Sequence, residues 1–507
     1  MTDLALRALR ENPRLAELAA YPFNFDIGRA AHGHVEEVRL ASGGTLDIVA
    51  GDDTGGTYFV CADGSMLYAD SEGSAGIIGS SVDEALEIMI GLEEAEGDDE
   101  EEFDEEYNDG DSERDGAEHS RLCRLEEART ELRAALGFPE RSPAELEAML
   151  QAALLRTEPD FLLLNGTEHN AYQLLGSYPR PPLWEPVLAS GRADLTLLRA
   201  GDGAAWEAVA EDPVRRRLAL RAAQFDRAEA DLELLRHLLR QETRSSMRDE
   251  LRLAAVLVGL RGDVGDLPLL HEVRETDYDT ACGLGGIPEP GASSKELRDW
   301  AQGLDDSLFG TDPADEPVST WTDLARDQGM TELARVTLIR ELDAIVMDQS
   351  RLRRRDAPRA LTTAPLRTLA RDFEELGDRT QALRAQQLHT ALQEKAWDRV
   401  SARLNQARLE REDGQLTQAV QTLATLRGIL AAPGDDSLRQ WEGVNLGRFI
   451  AEEHYRLTRV LAEAHLTDEA RSLLPAADAI LGELSENGTK GVRELAEETA
   501  ARVRELS

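Results

Sequence analysis

Between Glu93 and Glu118 the chain reads EEAEGDDEEEFDEEYNDGDSERDGAE, sixteen carboxylates against one arginine. A segment of that composition cannot bury enough apolar surface to offset the entropy lost on ordering, so residues 93–120 are expected to form an acidic disordered linker. Folded structure must then lie on either side of it. A chain of 507 residues with 41% hydrophobic content has the material for more than one core.

The acidity is not confined to the tract. Net charge is −42, from 98 acids and 56 bases; the tract supplies −15 and leaves −27 elsewhere. A surface of that sign repels nucleic-acid phosphates and anionic lipid and steers basic proteins inward, and it also keeps a large protein soluble. The expected partner is another protein, a basic one, with no nucleic acid and no membrane. No run of about twenty apolar residues is available to span a bilayer, and the opening MTDLALRALRENPRLAEL carries Asp3, Arg7, Arg10 and Glu11 through its apolar pattern. Neither a membrane helix nor a signal peptide is expected. Cys61, Cys123 and Cys282 are isolated, which fits the reducing cytoplasm better than a disulfide framework or a zinc site. Lysine occurs only at 295, 395 and 490, a bias typical of GC-rich bacterial genes.

From Thr45 to Leu92 short apolar runs alternate with Asp/Gly turns: TLDIVA, GDDTGG, TYFVCA, DGS, MLYAD, SEGSAG, IIG. That pattern predicts a small antiparallel meander. The run closes with SSVDEALEIMIGL, a helix capped by Ser80 or Ser81 with Val82, Leu86, Met89 and Ile90 in one stripe. In order and turn chemistry this stretch resembles the second half of the SMI1/KNR4 (SUKH) superfamily domain. The first half, ENPRLAELAAYPFNFDIGRAAHGHVEEVRLASGG, departs from the family pattern. The resemblance implies a partner-binding α+β domain; bacterial members resemble immunity proteins that neutralise toxins by direct binding.

After Arg121 three-to-four spacing of Leu and Ala predicts helices, with Ser142-Pro143 and Glu145 placed as a capping box. MRDELRLAAVLVGLRGDVGDLPLLHEVRE resembles one HEAT-type unit, with Ala254 and Ala255 in the first helix, a break at Gly262-Asp263 and a second helix entered through Leu267-Pro268. Further on, a helix-ending residue sits five positions before an alanine four times: Gly329/Ala334, Gly377/Ala382, Gly414/Ala419 and His465/Ala470. Glycine stops one helix and alanine lets the next approach, so Trp321 to Leu506 is similar to tetratricopeptide-like hairpins.

Catalytic signatures are missing: there is no HExxH, GxSxG, Walker loop or strand-borne GxGxxG. His32 and His34, near Glu36 and Glu37, are the nearest approach to a metal-ligand cluster, though paired histidines of this kind are more often solvated. His454 after Glu452-Glu453 reads as a charged helix surface. Asp-rich turns could in principle serve hydrolysis, but Asp is what tight turns require.

The sequence therefore predicts a multidomain chain: an α+β SMI1/KNR4-like domain (1–92), the linker (93–120), a HEAT-like helical region (121–280), an irregular loop (281–320) and a tetratricopeptide-like helical region (321–507), the helices forming an α-solenoid. The expected function is non-enzymatic protein binding, with toxin neutralisation as its sharpest form. An intracellular repeat scaffold or regulatory adaptor is the alternative, and a metal-dependent hydrolase the last. No catalytic residue, metal ligand or cofactor is assigned. Asp52, Asp53, Tyr58, Tyr68, Asp70 and Glu72 are the expected contacts on the small domain, and Tyr278, Trp300 and Phe309 those on the loop.

Overall fold

The computed structural model describes residues 4–92, 111–176, 178, 180–201, 203–244, 247–353, 361–486 and 488–505. The chain divides into two compact units, one of residues 1–316 and 327–337, the other of 317–326 and 338–507.

The first unit opens with an α+β region. Helices α1 (Leu4–Glu11) and α2 (Pro13–Ala20), a 3-10 turn (Ile27–His32), strands β1 (Val38–Leu40), β2 (Leu46–Gly51), β3 (Thr57–Cys61), β4 (Met66–Ala69) and β5 (Ser74–Gly79), and helix α3 (Val82–Leu92) precede the acidic tract. After it come α4 (Asp111–Leu136), α5 (Pro143–Leu154), β6 (Leu163–Asn165) and β7 (Gln173–Leu174). Strands β2 to β5 form the expected antiparallel meander; β7 joins β5 in parallel, and β1 pairs separately with β6. Alternation along β3 and β4 sends Tyr58 and Met66 into one core with Leu9, Phe23, Leu86 and Leu132. Phe59 and Leu67 enter a second core with Leu40, Ile77 and Leu163. Both faces of the sheet are thus covered.

Two sequence expectations change here. The helical reading from residue 121 misses β6 and β7, which pair with β1 and β5 and carry the α+β region past its expected end at 92. Strand edges present unpaired backbone groups, and these short segments satisfy them. Of the expected linker, residues 93–110 lie outside the described residues, while Asp111 already begins α4. That helix is anchored in the first core by Leu125, Ala128 and Leu132, and once nucleated a helix gains a hydrogen bond for each residue added.

The remainder of the unit is helical: α6 (Trp184–Arg199), α7 (Gly203–Glu211), α8 (Pro213–Phe225), α9 (Leu232–Glu242), α10 (Asp249–Gly259), α11 (Leu267–Arg274), α12 (Tyr278–Gly283) and α13 (Ser294–Leu308). The break between α10 and α11 falls where expected, with Gly262 at φ +68° and Pro268 in the first turn of α11. The expected irregular loop 281–320 is corrected by α13. Ser293 and Glu296 make a reciprocal capping box, and Leu297 and Ala301 bury one face of the helix. The flanking prolines Pro288 and Pro290 conceal this start in the sequence. Helix α8 carries Arg216, Arg217 and Arg221 into the interior, where Arg216 meets Glu242 of α9 and Arg221 meets Glu250 of α10 and Glu316.

Helices α14 (Val318–Asp327) and α15 (Thr331–Met347) have residues in both units. The second unit continues with α16 (Ala364–Glu375), α17 (Arg379–Ala391), α18 (Ala396–Glu412), α19 (Leu416–Ala431), α20 (Asn445–Glu463), α21 (Thr467–Glu483) and α22 (Val492–Glu505). Successive helices pack as the pairs α16/α17, α18/α19 and α20/α21. Gly329, Gly377, Gly414 and His465 all adopt positive φ, and Ala334, Ala382, Ala419 and Ala470 are all fully buried. The Glu452-Glu453-His454 stretch, read from sequence as a charged surface, is instead buried, because α18 and α19 supply Arg411 and Arg427 to meet it. No described helix is long and apolar enough to cross a membrane.

Candidate functional site

Two hairpin turns lie side by side at one end of the five-stranded sheet. In the β2–β3 turn, Asp52 Oδ1 accepts the N–H of Thr54 (2.9 Å), the N–H of Gly56 (2.7 Å) and the Thr54 hydroxyl (3.0 Å). In the β4–β5 turn, Asp70 Oδ1 accepts the N–H groups of Glu72 (2.9 Å) and Ser74 (2.8 Å). Short polar side chains organise tight turns in this way. The Ser71 hydroxyl donates to the Thr54 carbonyl at 3.1 Å and ties the two turns together. Tyr58 and Tyr68 are directly opposite on β3 and β4 with ring centroids 4.9 Å apart, and the Tyr68 hydroxyl donates to Asp52 Oδ2 at 2.6 Å. All six expected contact residues of the small domain therefore meet at one end of the sheet.

Gly56 is what permits this arrangement. A Cβ there would lie 2.3 Å from Asp52 Oδ2 and 2.5 Å from the Tyr68 hydroxyl. Gly56→Ala is expected to break the Asp52–Tyr68 bond and cost about 2 kcal/mol of stability through overpacking. Thermal unfolding of the purified variant checks this; an unchanged midpoint would show that the turn yields without loss.

The six residues differ in role. Asp52 is only 6% exposed. Burial pushes its carboxyl up, but the Tyr68 hydroxyl, the Gly56 N–H and Thr54 together outweigh burial and hold it below the usual range. Burial and the bond to Asp52 push the Tyr68 phenol up. The pair is therefore a neutral phenol donating to an ionised carboxylate. Asp53 and Glu72 are exposed, while Asp70 is half-buried by its capping role.

Beside these turns is a cavity of about 480 Å³. Asp52, Thr54, Tyr58 and Tyr68 line it together with Phe23, Asn24, Ile78, Ile88, Met89, Leu92, Leu150 and Leu175. Phe23 and Asn24, from the YPFNFD segment, were not legible as site residues. Asn24 sits at φ +53°, a conformation Asn tolerates better than most residues.

The expected contacts on the loop lie elsewhere in the first unit. Tyr278 is 81% exposed, but the Trp300 indole packs on the helical core and donates to the Gly285 carbonyl at 3.1 Å. The Phe309 ring lies against the same core, 5.7 Å from the Arg221 guanidinium. The His32/His34 pair is not poised as a ligand pair either. His34 Nδ1 accepts the Thr57 hydroxyl at 2.9 Å, its Nε2 donates to the Tyr172 hydroxyl at 3.1 Å, and that hydroxyl donates to Glu36. Among the described residues no group of three His, Cys, Asp or Glu side chains could hold a metal ion. No protein-family model matches the chain, and no curated protein matches it.

Proposed function

We propose that this is a non-enzymatic binding protein whose small α+β domain engages a basic protein through the acidic hairpin end of its sheet. The observation that carries the reading is the meeting of Asp52, Asp53, Asp70 and Glu72 on two tied turns beside an apolar cavity. Long-range steering by a chain of net charge −42 would bring a basic partner to such a surface quickly. With the resemblance to SMI1/KNR4 domains, the sharpest form is a cytoplasmic bacterial immunity protein that neutralises a basic toxin.

Asp53 and Glu72 are exposed and hold no turn together, so their charges can be reversed without cost to the fold. Full-length protein and the Asp53→Lys/Glu72→Lys variant would be used to capture basic proteins from the producing cell at low salt and at about 1 M salt, where the Debye length falls to about 3 Å. Capture is expected at low salt only, and at least about tenfold weaker for the variant. Capture indifferent to both salt and charge reversal would defeat the proposal.

The second reading is a repeat scaffold in which HEAT-like and tetratricopeptide-like helices form the binding surface of an α-solenoid. It is favoured by the recurrence of a positive-φ residue followed by a buried alanine in the second half of the chain. Salt-insensitive capture retained by the charge-reversed variant would point to it. A hydrolase reading gains no observation, since Asp52 and Asp70 are committed to turn hydrogen bonds.

A further inference from the structure

We infer that the cavity beside the hairpin turns receives an arginine side chain of the basic partner, with the guanidinium held between Asp52 and Asn24 and the aliphatic stem against the apolar wall. This rests on the proposed binding of a basic protein and names the group that would anchor it.

The anionic end of the cavity is incomplete in its hydrogen bonding. Three donors converge on Asp52 Oδ1, whereas among the described residues Oδ2 accepts only the Tyr68 hydroxyl and keeps a second lone pair. Among the described residues no cation lies within salt-bridge distance of this carboxylate. The Arg29 guanidinium donates to the Asp52 backbone carbonyl at 2.6 Å and pairs with Asp26. Hydrogen bonds alone stabilise this nearly buried carboxylate, so a cation entering the cavity would meet a charge that no ion pair has yet neutralised. Asn24, at the same cavity, has no hydrogen-bond partner among the described residues for its side-chain amide, which can accept from a second guanidinium N–H.

The rest of the lining selects arginine over other cations. Phe23, Ile78, Ile88, Met89, Leu150 and Leu175 give an apolar wall on which a three-carbon stem can lie. Of the two tyrosines lining the cavity, Tyr58 is buried against Phe25 and Tyr68, and the half-buried Tyr68 ring is the aromatic surface that a planar, weakly hydrated guanidinium can meet where a compact ammonium keeps its water. The exposed Asp53 and Glu72 on the adjoining turns would meet neighbouring basic residues. A chain presenting one inserted arginine amid further positive charge is thus complementary to the whole end of the sheet.

The test uses full-length protein and p-aminobenzamidine, whose fluorescence rises when it leaves water, competed by N-acetylarginine amide and by its neutral counterpart N-acetylcitrulline amide. A single side chain is expected to bind at about millimolar strength. The arginine compound should displace the probe and the citrulline compound should not. Asp52→Asn keeps an oxygen for the three turn donors while removing the charge, and is expected to weaken binding by about tenfold or more. Met89→Trp fills the cavity from its wall and should abolish binding with the acidic turns intact. Displacement by citrulline equal to that by arginine, or wild-type affinity in both variants, overturns the inference. In that event salt-sensitive capture lost on Asp53→Lys/Glu72→Lys would leave the wider binding proposal standing.

Discussion

Glu242→Leu is expected to destabilise the first unit by about 3–5 kcal/mol, although it replaces a charged residue by an apolar one in a helical core. Glu242 ends α9, is fully buried, and pairs with Arg216 of α8, which also donates to the Ala210 carbonyl. Removing the carboxylate takes the Glu242 ion pair from a guanidinium that is only 3% exposed. The double variant Arg216→Met/Glu242→Leu removes both charges with little change in volume and is expected to recover most of the loss. Urea unfolding followed by circular dichroism, with Trp206 and Trp300 as fluorescent reporters packed on that core, checks both. A double variant no more stable than the single one would show that the cost lies in packing and not in the lost ion pair.

That arginine-rich interior marks where sequence reasoning loses sight of this fold. The burial of VRRRLALRAAQF has no local signal, because the carboxylates that meet its arginines come from α9, α10 and Glu316, tens of residues away. The hairpin meander and its turns were legible because their signals are local. Asp52, Asp70 and the glycines specify turns within a few residues, and alternation in TYFVC and MLYA specifies two faces. The helix-ending residues 329, 377, 414 and 465 were legible for the same reason, since left-handed backbone is a property of the residue that adopts it. Strands of two or three residues such as β6 and β7 carry no periodicity of their own and exist through the edges they complete. The candidate site divides along the same line. Its acidic turns and its tyrosines follow from strand and turn chemistry, while Phe23, Asn24, Met89 and Leu150 reach the cavity only through tertiary packing.

His454 illustrates the same failure of local reading and gives the second large effect. It is fully buried on α20, its Nδ1–H donating to the Ile450 carbonyl at 2.8 Å and its Nε2 accepting from Arg427 at 3.0 Å. Burial above all, and Arg427 in addition, push its pKa down to about 4, against a smaller upward pull from the Ile450 carbonyl. The folded state therefore holds the ring neutral at a pH where the unfolded chain, near 6.5, binds a proton. Unfolding takes up a proton in that window, so this contribution is complete above about pH 6.5 and is lost as pH falls towards 4, by about 3 kcal/mol in total. Other groups of the second unit titrate in the opposite sense, since burial raises the carboxyls of Glu453, Asp372 and Asp323, the last to about 6. The comparison must therefore be with a variant that changes only the imidazole. His454→Gln keeps an amide N–H for Ile450 and an oxygen for Arg427 but cannot be protonated. Urea midpoints of the second unit, measured from pH 7 down to about 4.5, are expected to fall more steeply for the wild type than for the variant. Parallel pH profiles would mean that His454 does not stay neutral in the folded state.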